Sequence, residues 1–129
     1  AKMAYAPYSK FHVGAALQLV NGTIITGNNQ ENAAYPSGLC AERTALFYAS
    51  SQYPKEPIKR IAISCYSENS EFENPISPCG ACRQVLAEYE KYTNHPVQII
   101  MAGNGGKVFI SDTVSNLLPL TFDRSYLER

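Results

Sequence analysis

FHVGAALQLV (residues 11–20), then Asn21-Gly22, then TIITGNN (23–29): this run decides the fold class. Phe11, Val13, Ala15, Leu17 and Leu19 fall on one face, and His12, Gly14, Ala16, Gln18 and Val20 on the other. A period of two predicts a strand. Asn-Gly between two such runs is the strongest short hairpin signal, so residues 23–29 are expected to return as a second strand. QENAAYPSG (30–38) reads as a loop. From Ser37 or Gly38 to Ser50 the residues favour a helix, with Ala41, Ala45, Tyr48 and Ala49 as its apolar stripe and Ser37 as its cap.

Further along, Pro54–Pro57 ends that helix, and RIAISCY (60–66) has the two-sided apolarity of a buried strand. Residues 67–78 are rich in Ser, Asn, Pro and Glu and read as a solvated loop. Cys82, Val85, Leu86 and Tyr89 stand at i, i+3, i+4 and i+7, predicting a second helix over 80–92 that Asn94–Pro96 breaks. VQIIM (97–101) and KVFI (107–110) complete the strands, and SNLLPLTF (115–122) is expected to hold a short helix closed by Pro119. The order ββαβαββ implies an α/β layered domain with a mixed sheet.

The chain has 129 residues and a mass of 14.2 kDa, enough for one domain with its own core. We read residues 1–129 as that single domain, with Ala1–Ala6 as the tail of a longer first element that is cut short here. Hydrophobic residues make up 45% and charged ones 17%, which excludes a disordered chain. No apolar run approaches the roughly 18 residues of a membrane-spanning helix. Eleven basic residues balance 11 acidic ones, so no net field draws a phosphate backbone, which counts against a nucleic-acid partner.

Four cysteines, at 40, 65, 79 and 82, in a chain with no signal-peptide pattern point to metal or chemistry in an intracellular, cytoplasmic setting before disulfides. Cys40 lies where the first helix begins, and Cys79 and Cys82 bracket the start of the second. Their i, i+3 spacing lets both sulfurs face one ion. Parallel strands feeding neighbouring crossover helices would bring the two helix starts to one sheet edge. There the helix N-termini favour thiolates. Three sulfurs leave a fourth tetrahedral position, as in a catalytic zinc site. Glu42 stands beside that corner as a general acid/base, while Arg43 and Gln84 are candidate donors to the sulfurs. Cys-Ala-Glu at 40–42 followed by Pro-Cys-x-x-Cys from Pro78, 36 residues after the glutamate, is the zinc-deaminase signature in its all-cysteine form. Cys65 reads as a small buried hydrophobe and His95 as a surface residue.

At YAPYSKFHVGAAL (5–17), GNNQENAAYPSGLCAERTALF (27–47), SPCGACRQVL (77–86) and NLLPLTF (116–122) the sequence resembles the short-chain, homotetrameric cytidine deaminases. The resemblance implies a three-layer α-β-α domain with a five-stranded mixed sheet. It also implies zinc, one ion per subunit, held by Cys40, Cys79 and Cys82, with Glu42 as the proton shuttle. Phe11 would pack on the pyrimidine ring, Asn29 and Glu31 would bind the sugar hydroxyls, and the backbone at Ala41 would read the base edge. Ala33, Tyr35 and Phe122 would reach a neighbouring subunit's site, and Arg43 would offset thiolate charge. The implied reaction is hydrolysis of free cytidine or deoxycytidine to uridine or deoxyuridine and ammonia, in pyrimidine salvage. Taken without the resemblance, Phe11 reads more readily as core, Asn29 and Glu31 as decoration of a strand end, and Tyr35 and Phe122 as packing. A deaminase for another aminated heterocycle, such as blasticidin S, is the alternative. A structural zinc module and a nucleic-acid-editing deaminase are further readings, disfavoured by Glu42 and by the charge balance respectively.

Overall fold

The computed structural model describes residues 1–68, 72 and 74–128. Strand β1 (Phe11–Leu19) turns into β2 (Ile24–Asn28) as expected. Gly22 makes the turn with φ +93°, in the left-handed region that costs glycine nothing. The Asn21 side chain accepts the Thr23 N–H at 2.9 Å and closes it. After a single 3₁₀ turn (Tyr35–Ser37) come α1 (Ala41–Gln52), β3 (Ile58–Ser67), α2 (Gly80–Thr93), β4 (Gln98–Ala102) and β5 (Val108–Ser111). Part of the loop expected over 67–78, residues 69–71 and 73, lies outside the described residues.

The sheet is five-stranded and mixed, in the order β2-β1-β3-β4-β5. β1 is antiparallel to both β2 and β3, β3 is parallel to β4, and β5 returns antiparallel. The alternation of β1 holds: Val13, Ala15, Leu17 and Leu19 are buried in one core with Ile61, Ile63, Ile99, Leu46 and Leu86. The five-stranded mixed sheet with its two α-helices is the fold that the resemblance implies. β2, β3 and β4 run the same way, and each is added in the same direction across the sheet. Right-handed crossovers then carry both helices to one face. On the other face, Ala1 sits against Gly14, where an added Cβ would meet its nitrogen at 2.7 Å.

Three local expectations are corrected. Cys40, not Ser37, is the N-cap of α1, because Tyr35–Ser37 closes a separate 3₁₀ turn through Pro36. Tyr48 is exposed and Leu46 takes the buried place in α1. The expected helix near 115–122 is only a 3₁₀ turn at Val114–Asn116, since Pro119 bars helical backbone at the residue before it. Asn94 ends α2 as foreseen, in left-handed backbone with φ 49°. No helix among the described residues is long and apolar enough to cross a membrane.

Candidate active site

Both α-helices begin at the carboxyl-end side of the sheet, with a cysteine as N-cap in extended backbone. α1 is held there by the sheet beneath it. A Cβ on Gly27 of β2 would lie 2.8 Å from both the Ala41 oxygen and the Ala45 nitrogen, so only glycine lets the first turn of α1 settle at this depth. That contact sets the height of Cys40.

The two helix starts bring the three sulfurs together. Cys40 Sγ lies 3.9 Å from Cys79 Sγ, Cys79 Sγ lies 3.5 Å from Cys82 Sγ, and all three fall within 4.8 Å of one another. Metal–sulfur bonds near 2.3 Å in a tetrahedron put sulfurs about 3.8 Å apart, so the cluster fits zinc. Among the described residues this group holds no fourth His, Cys, Asp or Glu ligand. Cys82 is fully buried and Cys79 is exposed.

Arg43, one turn into α1, donates to Cys40 Sγ at 3.3 Å, as expected of a group that offsets thiolate charge. The Cys40 thiol is lowered to about 5, first by its hydrogen bond with Cys82 and then by Arg43. The same bond to Cys40, with burial and the charge of Glu42, pushes the Cys82 thiol up. The first negative charge therefore settles on Cys40, and an ion must displace a proton to recruit Cys82. Glu42 is 4% exposed. Burial is the main cause of its raised pKa, which the nearby Arg43 and Cys82 oppose without reversing. A carboxyl whose proton affinity is raised toward neutrality suits proton transfer.

A cavity of about 890 Å³ opens beside the cluster, lined by Phe11, Asn29, Glu31, Tyr35, Cys40 and Glu42 among others. The Phe11 ring stands edge-on to Phe72, centroids 5.4 Å apart at 85°, leaving a fixed apolar wall. Asn29 is 9% exposed; its Oδ1 accepts the Val13 N–H at 2.8 Å and its Nδ2 donates to the Phe11 carbonyl at 3.0 Å. Glu31 accepts the Tyr8 and Ser9 N–H groups at 3.1 and 3.2 Å and also the Ser9 hydroxyl, and that hydroxyl is the first cause of its lowered pKa.

A family model for the cytidine and deoxycytidylate deaminase zinc-binding region matches residues 1–97. A cytidine deaminase of Sporosarcina psychrophila is 43% identical over 126 residues, 98% of this chain and 85% of that one. The chain belongs to the cytidine deaminase family. The crystal structure of the Burkholderia pseudomallei cytidine deaminase superposes with a TM-score of 0.81 at 41% identity, covering 94% of this chain and 89% of that one. A blasticidin-S deaminase of Bacillus cereus is more distant, 29% identical over 119 residues, 91% of this chain and 81% of that one. With the family's zinc-binding region matched and the Cys40, Cys79 and Cys82 sulfurs gathered, the cofactor is one zinc ion per subunit.

Of the residues singled out in the sequence, Ala41 and Arg43 also line the cavity, whereas Ala33 and Phe122 do not. Ala33 is exposed, and Phe122 is 58% exposed and stacks on Tyr126. Gln84 is a correction: its amide donates to the Phe122 carbonyl at 2.7 Å rather than to a sulfur, because α2 turns this side of its first turn toward the C-terminal segment. Arg83 was not foreseen. Its guanidinium grips the Pro78 carbonyl at 2.9 Å, the Ser77 hydroxyl at 2.6 Å and the Leu117 carbonyl at 3.0 Å, which fixes the residues leading into Cys79. An arginine after Cys-x-x-Cys carries no periodic signal, and its acceptors lie in irregular chain.

Proposed function

We propose that this chain catalyses the zinc-dependent hydrolytic deamination of free cytidine and deoxycytidine, giving uridine or deoxyuridine and ammonia. The observation that carries the reading is Glu42, buried beside a three-sulfur cluster and opening on the same cavity as Phe11 and Glu31. Zinc, when bound by Cys40, Cys79 and Cys82, supplies the Lewis acidity that makes water a nucleophile at neutral pH. Glu42 takes one proton from the attacking water and delivers it to N3 of the base. It then takes the remaining proton of the new C4 hydroxyl and delivers it to the amino group, which departs as ammonia and leaves the C4 carbonyl. Its raised proton affinity suits both transfers. Arg43 holds charge against Cys40 throughout. Phe11 supplies the ring wall for the pyrimidine, the Ala41 backbone meets the base edge, and Asn29 and Glu31 meet the sugar hydroxyls.

Glu42→Ala is expected to retain zinc while kcat for cytidine falls about 10⁴-fold or more. Metal analysis and turnover on one sample check this, and an active Glu42→Ala enzyme would refute the shuttle. The more distant likeness to a blasticidin-S deaminase makes that antibiotic the competing substrate. Greater kcat/KM on it than on cytidine would overturn the nucleoside reading.

The enzyme acts as a homotetramer in cytoplasmic pyrimidine salvage, with sites completed by Ala33, Tyr35 and Phe122 of adjoining copies. Supporting this, Tyr35 stands 76% exposed at the cavity and Phe122, with Leu120 at 92%, is presented outward. None of the four cysteines is joined in a disulfide, which suits a reducing compartment. Sedimentation at four times the chain mass is expected, and a stable, active monomer would remove the shared-site reading.

A further inference from the structure

Ser9 joins two parts of the cavity that bind different ends of a nucleoside. Its hydroxyl donates to Glu31 Oε2 and accepts the Phe11 N–H at 3.0 Å. Few side chains can do both at once; a hydroxyl can, because it holds one proton and two lone pairs. Lys10, between them, takes φ 58°, a left-handed conformation uncommon outside glycine, which folds Ser9 back over the start of β1. The Phe11 carbonyl is held from the other side by Asn29 at 3.0 Å. Both backbone polar groups of the aromatic residue are thus fixed by side chains that line the same cavity. Glu31 is bound to this turn three times, through the Tyr8 and Ser9 N–H groups and the Ser9 hydroxyl.

We propose that Ser9 is a positioning residue that couples the hydroxyl-recognising carboxylate of Glu31 to the ring of Phe11, so that sugar and base are gripped as one unit. The inference rests on the nucleoside reading above. Ser9 makes no contact with the reacting atoms, so its loss weakens ground state and transition state alike. Such a loss appears in KM and spares kcat.

Ser9→Ala is expected to raise KM for cytidine about tenfold with kcat changed less than about twofold, the scale of one lost hydrogen bond to a charged group. Zinc content and melting temperature should stay at wild-type values. Ser9→Thr, which keeps the hydroxyl, should bring KM back to within about threefold of wild type. On a Phe11→Ala background, Ser9→Ala should change KM by less than it does with the ring present, because its hold on Glu31 remains to be lost but its coupling to the ring does not. An unchanged KM in Ser9→Ala, an equal effect without the Phe11 ring, or no rescue by threonine would each overturn the proposal. If Ser9→Ala does not fold, Ser9→Cys, a weak donor and acceptor of similar size, carries the same comparison. Calorimetric titration of each zinc-loaded variant with uridine, the product, separates the two failures. A wild type that binds uridine but does not turn over cytidine sinks the deaminase reading, while the Ser9 series is still decided by the Kd values. A wild type that binds neither sinks both.

Discussion

Helices α1 and α2 start alike: Cys40 and Cys79 have φ near −69° and −66°, and neither side chain caps its own helix. Each helix also places an arginine about one turn in. From there they part. α1 is seated by an absence of side chain, with Ala41 and Ala45 resting on Gly27. α2 is seated by polar reach. Arg83 binds Ser77, Pro78 and Leu117, Gln84 binds the Phe122 carbonyl, and Glu90 accepts the Val97 and Val114 N–H groups at 2.8 and 3.0 Å and the Thr113 hydroxyl at 2.8 Å. Close apolar contact fixes one helix end against the sheet. Polar ties do more, because they collect distant irregular segments that have no periodicity of their own to place them.

The comparison breaks most readily at Gly27. Gly27→Val should cost about 4 kcal/mol in chemical denaturation of the zinc-loaded protein, since both neighbours of the new Cβ are helix backbone and cannot swing aside. A cost below about 1 kcal/mol would mean that α1 is not held by this contact. Glu90→Ala should cost about 2 kcal/mol by leaving the buried N–H donors of Val97, just before β4, and of Val114 unmatched, and proteolysis should then begin beyond residue 113. Unaltered stability would show that α2 does not gather that segment. The arginines sharpen the contrast with the smallest effects. Arg83→Lys loses the fork and should lower stability by about 1 kcal/mol while zinc release to a chelator changes little. Arg43→Ala should do the reverse, leaving denaturation nearly unchanged and speeding zinc release about tenfold by removing a charge-assisted bond to sulfur. Matching behaviour of the two variants would erase the distinction.

What could be read in the sequence follows the same division. β1, its Asn21-Gly22 turn and the stripe of α2 are periodic, so their faces are fixed by residue spacing alone. The cluster of Cys40, Cys79 and Cys82 was legible because helix starts and sulfur spacing are local signals joined by one topological step, and Glu42 came with it. The face of the sheet on which both helices lie was not, because the direction of winding appears only once strands are ordered. Nor was the partner of Gln84, or the work of Ser9, Arg83 and Glu90. Each bonds to a main-chain group whose position depends on packed loops, and such bonds impose no pattern on residue identity. Phe122 and Ala33, carried over by resemblance, lie outside the cavity of a single chain and await a test of assembly.

The grip of Gln84 on the tail falls on the carbonyl of residue 122 and leaves the ring alone. Anchorage and side-chain identity are therefore separable at this position. A lineage can exchange the aromatic for another residue without loosening the terminus, and so vary what the tail offers to its surroundings while the scaffold is inherited unchanged.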